Sequence, residues 1–226
     1  MKTVGFIPVK LNNVRLPGKN TRELGGRALC SYLFDTVRKV HGLDEIYVIC
    51  SDPAFQSYVP EGITFLRRPK ELDEPTIKSK DILNWFTGTI DADVYALMHV
   101  TEPFIKAATI QTSVQKVIEE GYDSAFAARE IKEFSWYQGN PINYSFENVI
   151  LTQNLEPVYV EGELYVFRKE VFTKLGRRIG VKPYIHPLEW REGICIDDLD
   201  DFEMAEAVLM MDQQKAGKGN RYNEKC

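Results

Sequence analysis

A short segment near the start of the chain carries the residues whose chemistry is easiest to interpret. The basic side chains Lys10, Arg15, Lys19 and Arg22 surround a loop with two adjacent asparagines and a Pro17-Gly18 turn. Cationic side chains and the backbone N–H groups of such turns bind phosphate groups. The loop therefore suggests a site for a small polyphosphate ligand, and a solvated surface loop is the alternative interpretation of the same residues.

The chain as a whole is net acidic, which limits the classes of partner. Its 226 residues carry a formal net charge of -5, whereas non-specific nucleic-acid binding depends on basic surfaces. The length suits one large domain with an ample hydrophobic core. We therefore expect no nucleic-acid partner, and a small anionic ligand at the basic loop.

The cysteines and the first residues bear on the location of the protein. Cys30, Cys50, Cys195 and Cys226 are scattered without a Cys-x-x-Cys spacing, so neither zinc nor a disulfide framework is indicated. Three of them adjoin apolar residues and are predicted to be buried, reduced thiols. The sequence contains no signal-peptide pattern and no apolar run long enough for a membrane span. These features predict no membrane partner and a cytoplasmic location.

Strand and helix patterns alternate along the first half of the chain. The predicted elements are strands at Thr3–Val9, Glu45–Cys50, Thr64–Leu66, Val94–His99 and Ser124–Ala128, with helices at Leu29–Val40, Thr76–Phe86 and Thr109–Glu120. This order predicts an α/β fold with a Rossmann-like, mostly parallel sheet and helices on both faces. Ligands of such sheets bind at the carboxyl ends of the strands, where the basic loop lies. The loop has neither a Walker nor a Rossmann glycine pattern, so another mode of phosphate binding is expected.

An aromatic-rich segment interrupts this alternation in the second half. Residues 134–155 mix aromatic side chains with glycine, proline and amides, which predicts a protruding arm, a lid or an interface. The parallel pattern is expected to resume with a strand at Glu163–Phe167. A last helix is predicted at Leu199–Gln213, before a polar tail at residues 216–226 that is expected to fray. Residues 1–215 are thus predicted to form a single domain.

Several motifs in the same order resemble the CMP-sugar synthetases, the cytidylyltransferases that activate sialic acids and 3-deoxy-manno-octulosonate (Kdo). Residues 9–29 resemble the phosphate loop of the sialic acid branch, and Arg15-Leu16-Pro17-Gly18-Lys19 matches that of the Kdo branch. Further similar motifs follow at Ser51-Asp52, Arg68-Pro69, Met98–Phe104, Thr152–Tyr165 and Ile196–Glu206. On these motifs the chain is identified as a member of this family, closest to its acylneuraminate-type enzymes and of the nucleotidyltransferase type of fold.

The resemblance implies nucleotidyl transfer: a sugar hydroxyl attacks the α-phosphorus of CTP, and pyrophosphate leaves. Such a reaction is catalysed mainly by positioning and by electrostatic stabilisation. By the resemblance, the catalytic residues would be Lys10, Arg15, Lys19 and Asp197. The nucleotide would contact Asn13, Asn20, Arg68 and His99. The acidic sugar would contact Arg129, Gln153 and Tyr165.

Some of these implied roles have alternatives. His99 follows an apolar strand and is also consistent with a polar strand end that binds nothing. Arg129 is equally consistent with a surface ion pair to Glu130 or Glu133. For residues 134–155, the resemblance favours an arm that crosses to the partner in a homodimer.

The resemblance also implies a Mg²⁺ cofactor, which Asp197 would hold together with the phosphates. The acidic residues that follow it are also typical of the first turn of a helix, where they offset the helix dipole. Cys195 and Thr101 stand where the sialic acid and Kdo branches have a second aspartate. Asp198, Glu102 or water molecules would then complete the metal shell.

Three functions are open from the sequence. The first is transfer of CMP to an acidic sugar, for cell-surface polysaccharide biosynthesis. The second is the same transfer to a different acceptor. The third is nucleotide binding without catalysis, since Lys10 replaces an arginine and Val14 replaces a lysine of the family pattern.

Overall fold

The computed structural model describes the backbone of residues 1–222 and the side chains of residues 1–215. Its strands are β1 (Thr3–Pro8), β2 (Glu23–Leu24), β3 (Arg27–Ala28), β4 (Glu45–Cys50), β5 (Thr64–Arg67), β6 (Val94–Leu97), β7 (Ser124–Ile131), β8 (Trp136–Tyr137), β9 (Asn140–Pro141), β10 (Val158–Arg168) and β11 (Pro183–Leu188). Its helices are α1 (Leu29–Val37), α2 (Ser79–Thr89), α3 (Ala107–Glu119), α4 (Lys169–Leu175) and α5 (Leu199–Tyr222). Seven strands form the main sheet in the order β11-β7-β10-β6-β1-β4-β5.

The strands of the main sheet pair in parallel, except for β10. This confirms the predicted α/β fold with a mostly parallel sheet. The expectation that the parallel pattern resumes at Glu163–Phe167 is wrong, because β10 runs antiparallel to both β6 and β7. The chain goes from β7 to β10 without an intervening α-helix. The arm takes the place of a crossover helix here, and β10 returns beside β7 in the opposite direction.

Helices cover both faces of the main sheet, as predicted. On one face, α1 and α3 bury Phe34 and Val114 against the strands. On the other face, α2 and α4 bury Phe86 and Phe172, and the ring of Phe86 stacks on that of Phe6 with centroids 4.3 Å apart. Each buried side chain of this size contributes roughly 2 kcal/mol, so the two layers are held by their apolar faces.

Two elements of the second half, β11 and α5, differ from the sequence prediction. The pattern gives no sign of β11, because Pro183 and Pro187 argue against a strand. β11 lies at the edge of the sheet and pairs with β7 alone, a position in which prolines are tolerated. The helix α5 continues past Gln213 to Tyr222, so it is longer than predicted, and the fraying of the polar tail stays a prediction. Residues 223–226, with Cys226, lie outside the described residues.

Residues 134–155 lie outside the main sheet and form an arm with only a short β8–β9 ribbon. Their aromatic rings pack mainly on one another: the centroids of Phe134 and Tyr144 are 4.8 Å apart, and those of Trp136 and Phe146 are 5.6 Å apart. Trp136 and Phe146 remain largely exposed. The cluster is therefore an apolar surface rather than part of the core.

In the part of the chain that the structure describes, no helix is both long enough and apolar enough to cross a bilayer, and this includes the 24-residue α5.

Candidate active site

The loops that follow β1, β4 and β6 meet at one edge of the sheet and form the candidate site. Pro8 pairs with Ile49 near the ends of β1 and β4, and Phe6 pairs with Leu97 at the end of β6. The carboxyl ends of these parallel strands therefore lie side by side, where ligands of open α/β sheets bind. The basic loop follows β1 directly, as the sequence predicts.

Lys19 and Asp197 join the basic loop to the segment that precedes α5. Nζ of Lys19 donates a hydrogen bond to the carbonyl oxygen of Ile196 at 2.6 Å and lies 3.1 Å from Oδ1 of Asp197. Arg15 lies 2.9 Å from the same carboxylate oxygen. The side chain of Lys19 is 9% exposed, whereas that of Arg15 is 67% exposed. Lys19 is therefore fixed, and Arg15 has room to reorient toward a ligand.

A cavity of about 290 Å³, here called the phosphate cavity, lies at this cluster. It brings together the predicted residues Lys10, Asn13, Arg15, Lys19 and Asp197. Oδ1 of Asn13 is buried and has no hydrogen-bond partner within the described residues. A buried acceptor oxygen without a partner costs free energy, which a water molecule or a donor group of a ligand would recover and a phosphate oxygen would not. Three cations and an amide around one cavity suit the phosphates of a nucleotide.

Asn20 and Arg68 are buried and act on the site through other groups. Nδ2 of Asn20 donates to the carbonyl oxygen of Lys10 at 2.7 Å, which fixes the start of the basic loop. Arg68 is 2% exposed and donates to Oδ1 of Asp73 at 2.6 Å. Burial favours a raised pKa for Asp73, but the hydrogen bonds from Ser51 and Arg68 outweigh it and lower the pKa. Asp73 and Ser51 line a neighbouring cavity of about 330 Å³, here called the base cavity.

A third cavity, of about 370 Å³ and here called the acceptor cavity, shares Asp197 with the phosphate cavity. Arg129, a predicted acceptor residue, lines it. The stem of Arg129 lies across Gly193, since a Cβ atom on this glycine would come 2.3 Å from Cγ of the arginine. Within the described residues Arg129 forms no ion pair with Glu130 or Glu133, and Glu130 instead lies 3.4 Å from Lys132. Arg129 therefore places a cation in the lining of the acceptor cavity.

Tyr165 borders the acceptor cavity indirectly, and Gln153 lies away from it. The hydroxyl of Tyr165 donates to Oε2 of Glu161, a residue of the cavity lining, at 2.9 Å. Burial raises the pKa of Tyr165, so the hydroxyl remains a donor. Gln153 is exposed in a short 3-10 turn and lines neither the acceptor cavity nor the phosphate cavity.

An irregularity in β10 brings the backbone of Glu163 against the side chain of Glu102. The sequence analysis did not predict this contact. The pairing of β10 with β7 shifts between Glu161 and Tyr165. In this stretch the N–H of Glu163 donates to Oε1 of Glu102 at 3.0 Å. A Cβ atom on Gly162 would lie 2.7 Å from the same oxygen, so the contact requires a glycine. Gly162 lies inside a strand pattern, and such a glycine is a sequence feature that could have predicted the bulge.

Glu102 and Glu163 differ in charge although they are in contact. Burial raises the pKa of Glu102 from 4.5 to about 8, so this carboxyl group is protonated at neutral pH. The hydrogen bond from His99 lowers the pKa of Glu163, which keeps its carboxylate ionised. Nδ1 of His99 lies 2.9 Å from Oε2 of Glu163. Because Mg²⁺ binds anionic oxygens, the neutral acid of Glu102 fits a metal ligand poorly.

Asp197 is the carboxylate that best fits a magnesium ion. Its Oδ2 forms no hydrogen bond within the described residues, and its side chain is 40% exposed. Asp198 and Asp201 are occupied at the start of α5, where Oδ2 of Asp201 accepts from the backbone N–H groups of Asp197 and Asp198 at 2.8 and 3.2 Å. Among residues 1–215, whose side chains the structure describes, no group of three or more His, Cys, Asp or Glu side chains is arranged to hold a metal ion. Phosphate and water oxygens would have to complete the shell.

Thr101 and Cys195, which replace the family's second aspartates, are neighbours in space. Sγ of Cys195 lies 3.5 Å from Oγ1 of Thr101. Burial raises the pKa of Cys195 to about 12, so the thiol is uncharged at neutral pH. The two departures seen in the sequence therefore affect one position beside Asp197. Cys30 and Cys50 are buried free thiols, as predicted, and Cys195 is free and partly exposed.

The sequence of this chain is similar to a known protein family and to curated proteins. A family model described as Cytidylyltransferase matches residues 4–216. The chain is 24% identical over 127 residues to 3-deoxy-manno-octulosonate cytidylyltransferase 2 of Hydrogenovibrio crunogenus, covering 56% of this chain and 51% of that protein. It is 24% identical over 115 residues to the Escherichia coli 3-deoxy-manno-octulosonate cytidylyltransferase, covering 50% and 45%. The matches thus span about half the length of these curated relatives.

Solved structures are similar over most of the chain. A CMP:2-keto-3-deoxy-manno-octonic acid synthetase complexed with CTP superposes with a TM-score of 0.68 at 17% identity, covering 94% of this chain and 100% of that chain. The bifunctional IspDF of Campylobacter jejuni gives 0.65 at 10% identity, covering 90% and 54%. At such identities the likeness concerns the fold, and it confirms the predicted nucleotidyltransferase type.

We expect Glu102→Gln to stabilise the protein at alkaline pH. A carboxyl group whose pKa is raised on folding stabilises the fold below its unfolded pKa of 4.5, and this contribution is lost as the pH rises through about 8. Glutamine keeps an acceptor for the N–H of Glu163 but has no charge to bury. Relative to the variant, wild type should lose on the order of 4 kcal/mol of unfolding free energy between about pH 5 and about pH 9.

Urea unfolding at several pH values measures this difference. Glu119→Gln, at an exposed position of α3, is the matched control and should follow wild type at every pH. A stability difference between wild type and Glu102→Gln that does not change with pH would contradict the assignment.

Proposed function

Because this chain belongs to the cytidylyltransferase family, we propose that it transfers CMP from CTP to a hydroxyl group of an acidic sugar and releases pyrophosphate. The names of its curated relatives support an ulosonic acid such as 3-deoxy-manno-octulosonate as the acceptor. The acylneuraminate acceptor of the sequence resemblance stays a prediction within the same chemical class. The observation that carries the proposal is that Asp197 lines both the phosphate cavity and the acceptor cavity.

The phosphate cavity would hold the triphosphate of CTP. The ammonium group of Lys19 has three N–H donors, and Ile196 and Asp197 engage two of them. The remaining donor, with the charges of Arg15 and Lys10, is available to phosphate oxygens. Cations that are already fixed by the fold stabilise the charge that develops on the leaving pyrophosphate without further reorganisation.

The base cavity would take the cytosine ring. It adjoins the phosphate cavity through Asn12, which lines both. Ser51 and Asp73 offer polar groups to the edge of a base, and the buried Arg68 holds Asp73 in position. In this proposal Arg68 orients the pocket rather than touching the base.

The acceptor cavity would hold the acidic sugar. Arg129 supplies the cation that a sugar carboxylate requires, and the carboxylates of Glu161 and Glu163 accept hydrogen bonds from sugar hydroxyls. Because Asp197 lies where this cavity meets the phosphate cavity, a bound sugar hydroxyl would face the α-phosphate. Holding two reactants in this way lowers the barrier to their reaction.

Asp197 would also hold the Mg²⁺ ion that the family resemblance implies, through its exposed carboxylate. When bound, the ion would supply positive charge to the phosphates of CTP. Lys19 keeps the carbonyl oxygen of Ile196 as a partner in either case. The residues of the chain therefore fit one magnesium ion that retains most of its water and phosphate ligands.

We further propose that the aromatic arm makes the protein a homodimer. Trp136, Tyr137 and Phe146 are largely exposed on residues 134–155. Aromatic side chains are enriched at the buried centres of protein interfaces, and exposed apolar patches of this kind mark such surfaces.

Pyrophosphate release from CTP in the presence of a panel of acidic sugars, including Kdo and N-acetylneuraminate, tests the proposed reaction. We expect release with at least one of them. Lys19→Ala should lower kcat by roughly 100-fold or more, because a preorganised cation acts mainly on the transition state. Lys39→Ala, at an exposed position after α1, is the control and should keep wild-type turnover. Release only with acceptors that lack a carboxylate would favour another substrate, and CTP binding without any release would contradict catalysis.

A magnesium titration of the initial rate tests the metal site. Asp197→Asn keeps the shape of the side chain but removes the anion, so we expect the magnesium-dependent rate to be lost while CTP binding without metal is still measurable. Cys195→Asp adds a carboxylate at the neighbouring position and should lower the half-saturating magnesium concentration. An unchanged half-saturation and maximal rate in Asp197→Asn would show that the metal binds elsewhere.

Deletion of residues 136–149 tests the arm. The variant should be a monomer, or insoluble, because the remaining apolar surface loses its partner. Light scattering on the full chain and on the deletion variant measures the change. A soluble variant with the same oligomeric mass as the full chain would rule out dimerisation through the arm.

A further inference from the structure

His99, which has no role in the reaction described above, forms a pair with Glu163. Nδ1 of His99 lies 2.9 Å from Oε2 of Glu163 and 3.2 Å from the carbonyl oxygen of the same residue. A carbonyl oxygen and an ionised carboxylate only accept hydrogen bonds. The proton of the neutral imidazole must therefore sit on Nδ1, whichever of the two oxygens receives it.

The second ring nitrogen of His99, Nε2, is left with a free lone pair. It forms no hydrogen bond within the described residues, and it is not one of the buried atoms that lack a partner. It is therefore open to solvent, in a side chain that is 26% exposed. A histidine that a carboxylate orients through one nitrogen, with the other nitrogen open, has the arrangement of a general base.

The pair borders the acceptor cavity through Glu163, whereas His99 itself lines neither this cavity nor the phosphate cavity. His99 follows β6, a central strand, at the carboxyl edge of the sheet. Glu163 lines the acceptor cavity together with Asp197. The hydrogen bond from His99 has the largest effect on the pKa of Glu163, and the nearby charges of Arg178 and Lys19 lower it further. Glu163 therefore lies within the electrostatic reach of the lysine that would bind the phosphates.

We propose that His99 is the general base of the reaction and that Glu163 is its positioning residue, an inference that rests on the proposed cytidylyl transfer. As the acceptor hydroxyl oxygen bonds to the α-phosphorus of CTP, its proton moves to Nε2 of His99. The bond from the α-phosphorus to the oxygen that bridges to the β-phosphate breaks, and its electron pair leaves with pyrophosphate. His99 then returns the proton to solvent, so that CTP and the acceptor are the only reactants.

Charged groups from several elements surround this pair. Glu163 comes from β10, and Glu102 from the turn after β6 accepts the N–H of Glu163. Lys19 comes from the basic loop, and Arg178 from the segment after α4. The pH dependence of the rate therefore has to be compared between variants of His99 rather than interpreted from wild type alone.

The rate of pyrophosphate release as a function of pH tests the proposal in the full-length protein. Wild type should lose activity at acid pH, where an imidazole binds a second proton. His99→Gln keeps a donor for Glu163 but has no basic nitrogen. We expect it to lower kcat by roughly 100-fold, to leave the CTP dissociation constant within about threefold and to remove the acid limb. His41→Gln, at an exposed position after α1, is the control and should behave as wild type.

Two further variants separate catalysis from structural support. Added imidazole should restore part of the rate of His99→Ala, because it replaces the lost base, and should have no effect on His99→Gln. Glu163→Gln should lower kcat and leave the CTP dissociation constant within about threefold, since it removes the carboxylate that orients the ring through Nδ1. A kcat for His99→Gln within about threefold of wild type, or an acid limb that persists in it, would overturn the proposal.

Long-range proton–nitrogen NMR of the imidazole tests the pair without any turnover. The neutral ring of His99 should be protonated on Nδ1 and unprotonated on Nε2, which is the reverse of the tautomer that exposed histidines usually favour. A proton on Nε2 would overturn the assignment of the base. If the Nδ1 tautomer is found and no acceptor releases pyrophosphate, it is the proposed transfer that fails, and with it the catalytic role of the pair.

Discussion

The contact between Lys19 and the segment Ile196-Asp197 is the constraint on which the candidate site depends. It joins positions 178 residues apart in the sequence and holds an ammonium group that is almost fully buried. A buried charge that loses its partner destabilises a protein by several kcal/mol. Because one of the two partners is a backbone carbonyl, Lys19 keeps a partner even when Asp197 binds another cation. The basic loop and the start of α5 can therefore stay together with or without a ligand.

Apolar packing next to this contact also holds the two segments together. Leu16 and Leu24, on either side of Lys19 in the chain, share a small core with Ile196 and Phe202. The burial of these side chains offsets the cost of bringing several cations close to one another. The positive charge of the site is thus arranged by folding, before any phosphate arrives, which is the condition under which fixed charges stabilise a transition state most effectively.

Much of the parallel part of the sheet follows from the sequence, because a helical pattern separates β1 from β4, β5 from β6 and β6 from β7. The direction of β10 does not, since a strand of similar composition runs either way, and only the missing helix between β7 and β10 decides it. The parts of the site that could be predicted are those whose residues are contiguous in the sequence. The basic loop is one stretch of sequence, whereas Glu102 and Glu163 meet only because a bulge at Gly162 leaves room for a carboxylate.

Asp197 has to serve two kinds of partner, and the surrounding residues limit how it does so. Without a ligand it balances Arg15 and Lys19. A triphosphate would compete for these cations and would face the carboxylate as a like charge. A divalent cation between them would convert this repulsion into two attractive contacts. Burial keeps both Glu102 and Cys195 uncharged at neutral pH, so neither adds a second negative charge that would itself need neutralising. In the proposed complex, one carboxylate and one metal ion would be sufficient for electrostatic balance at the phosphates.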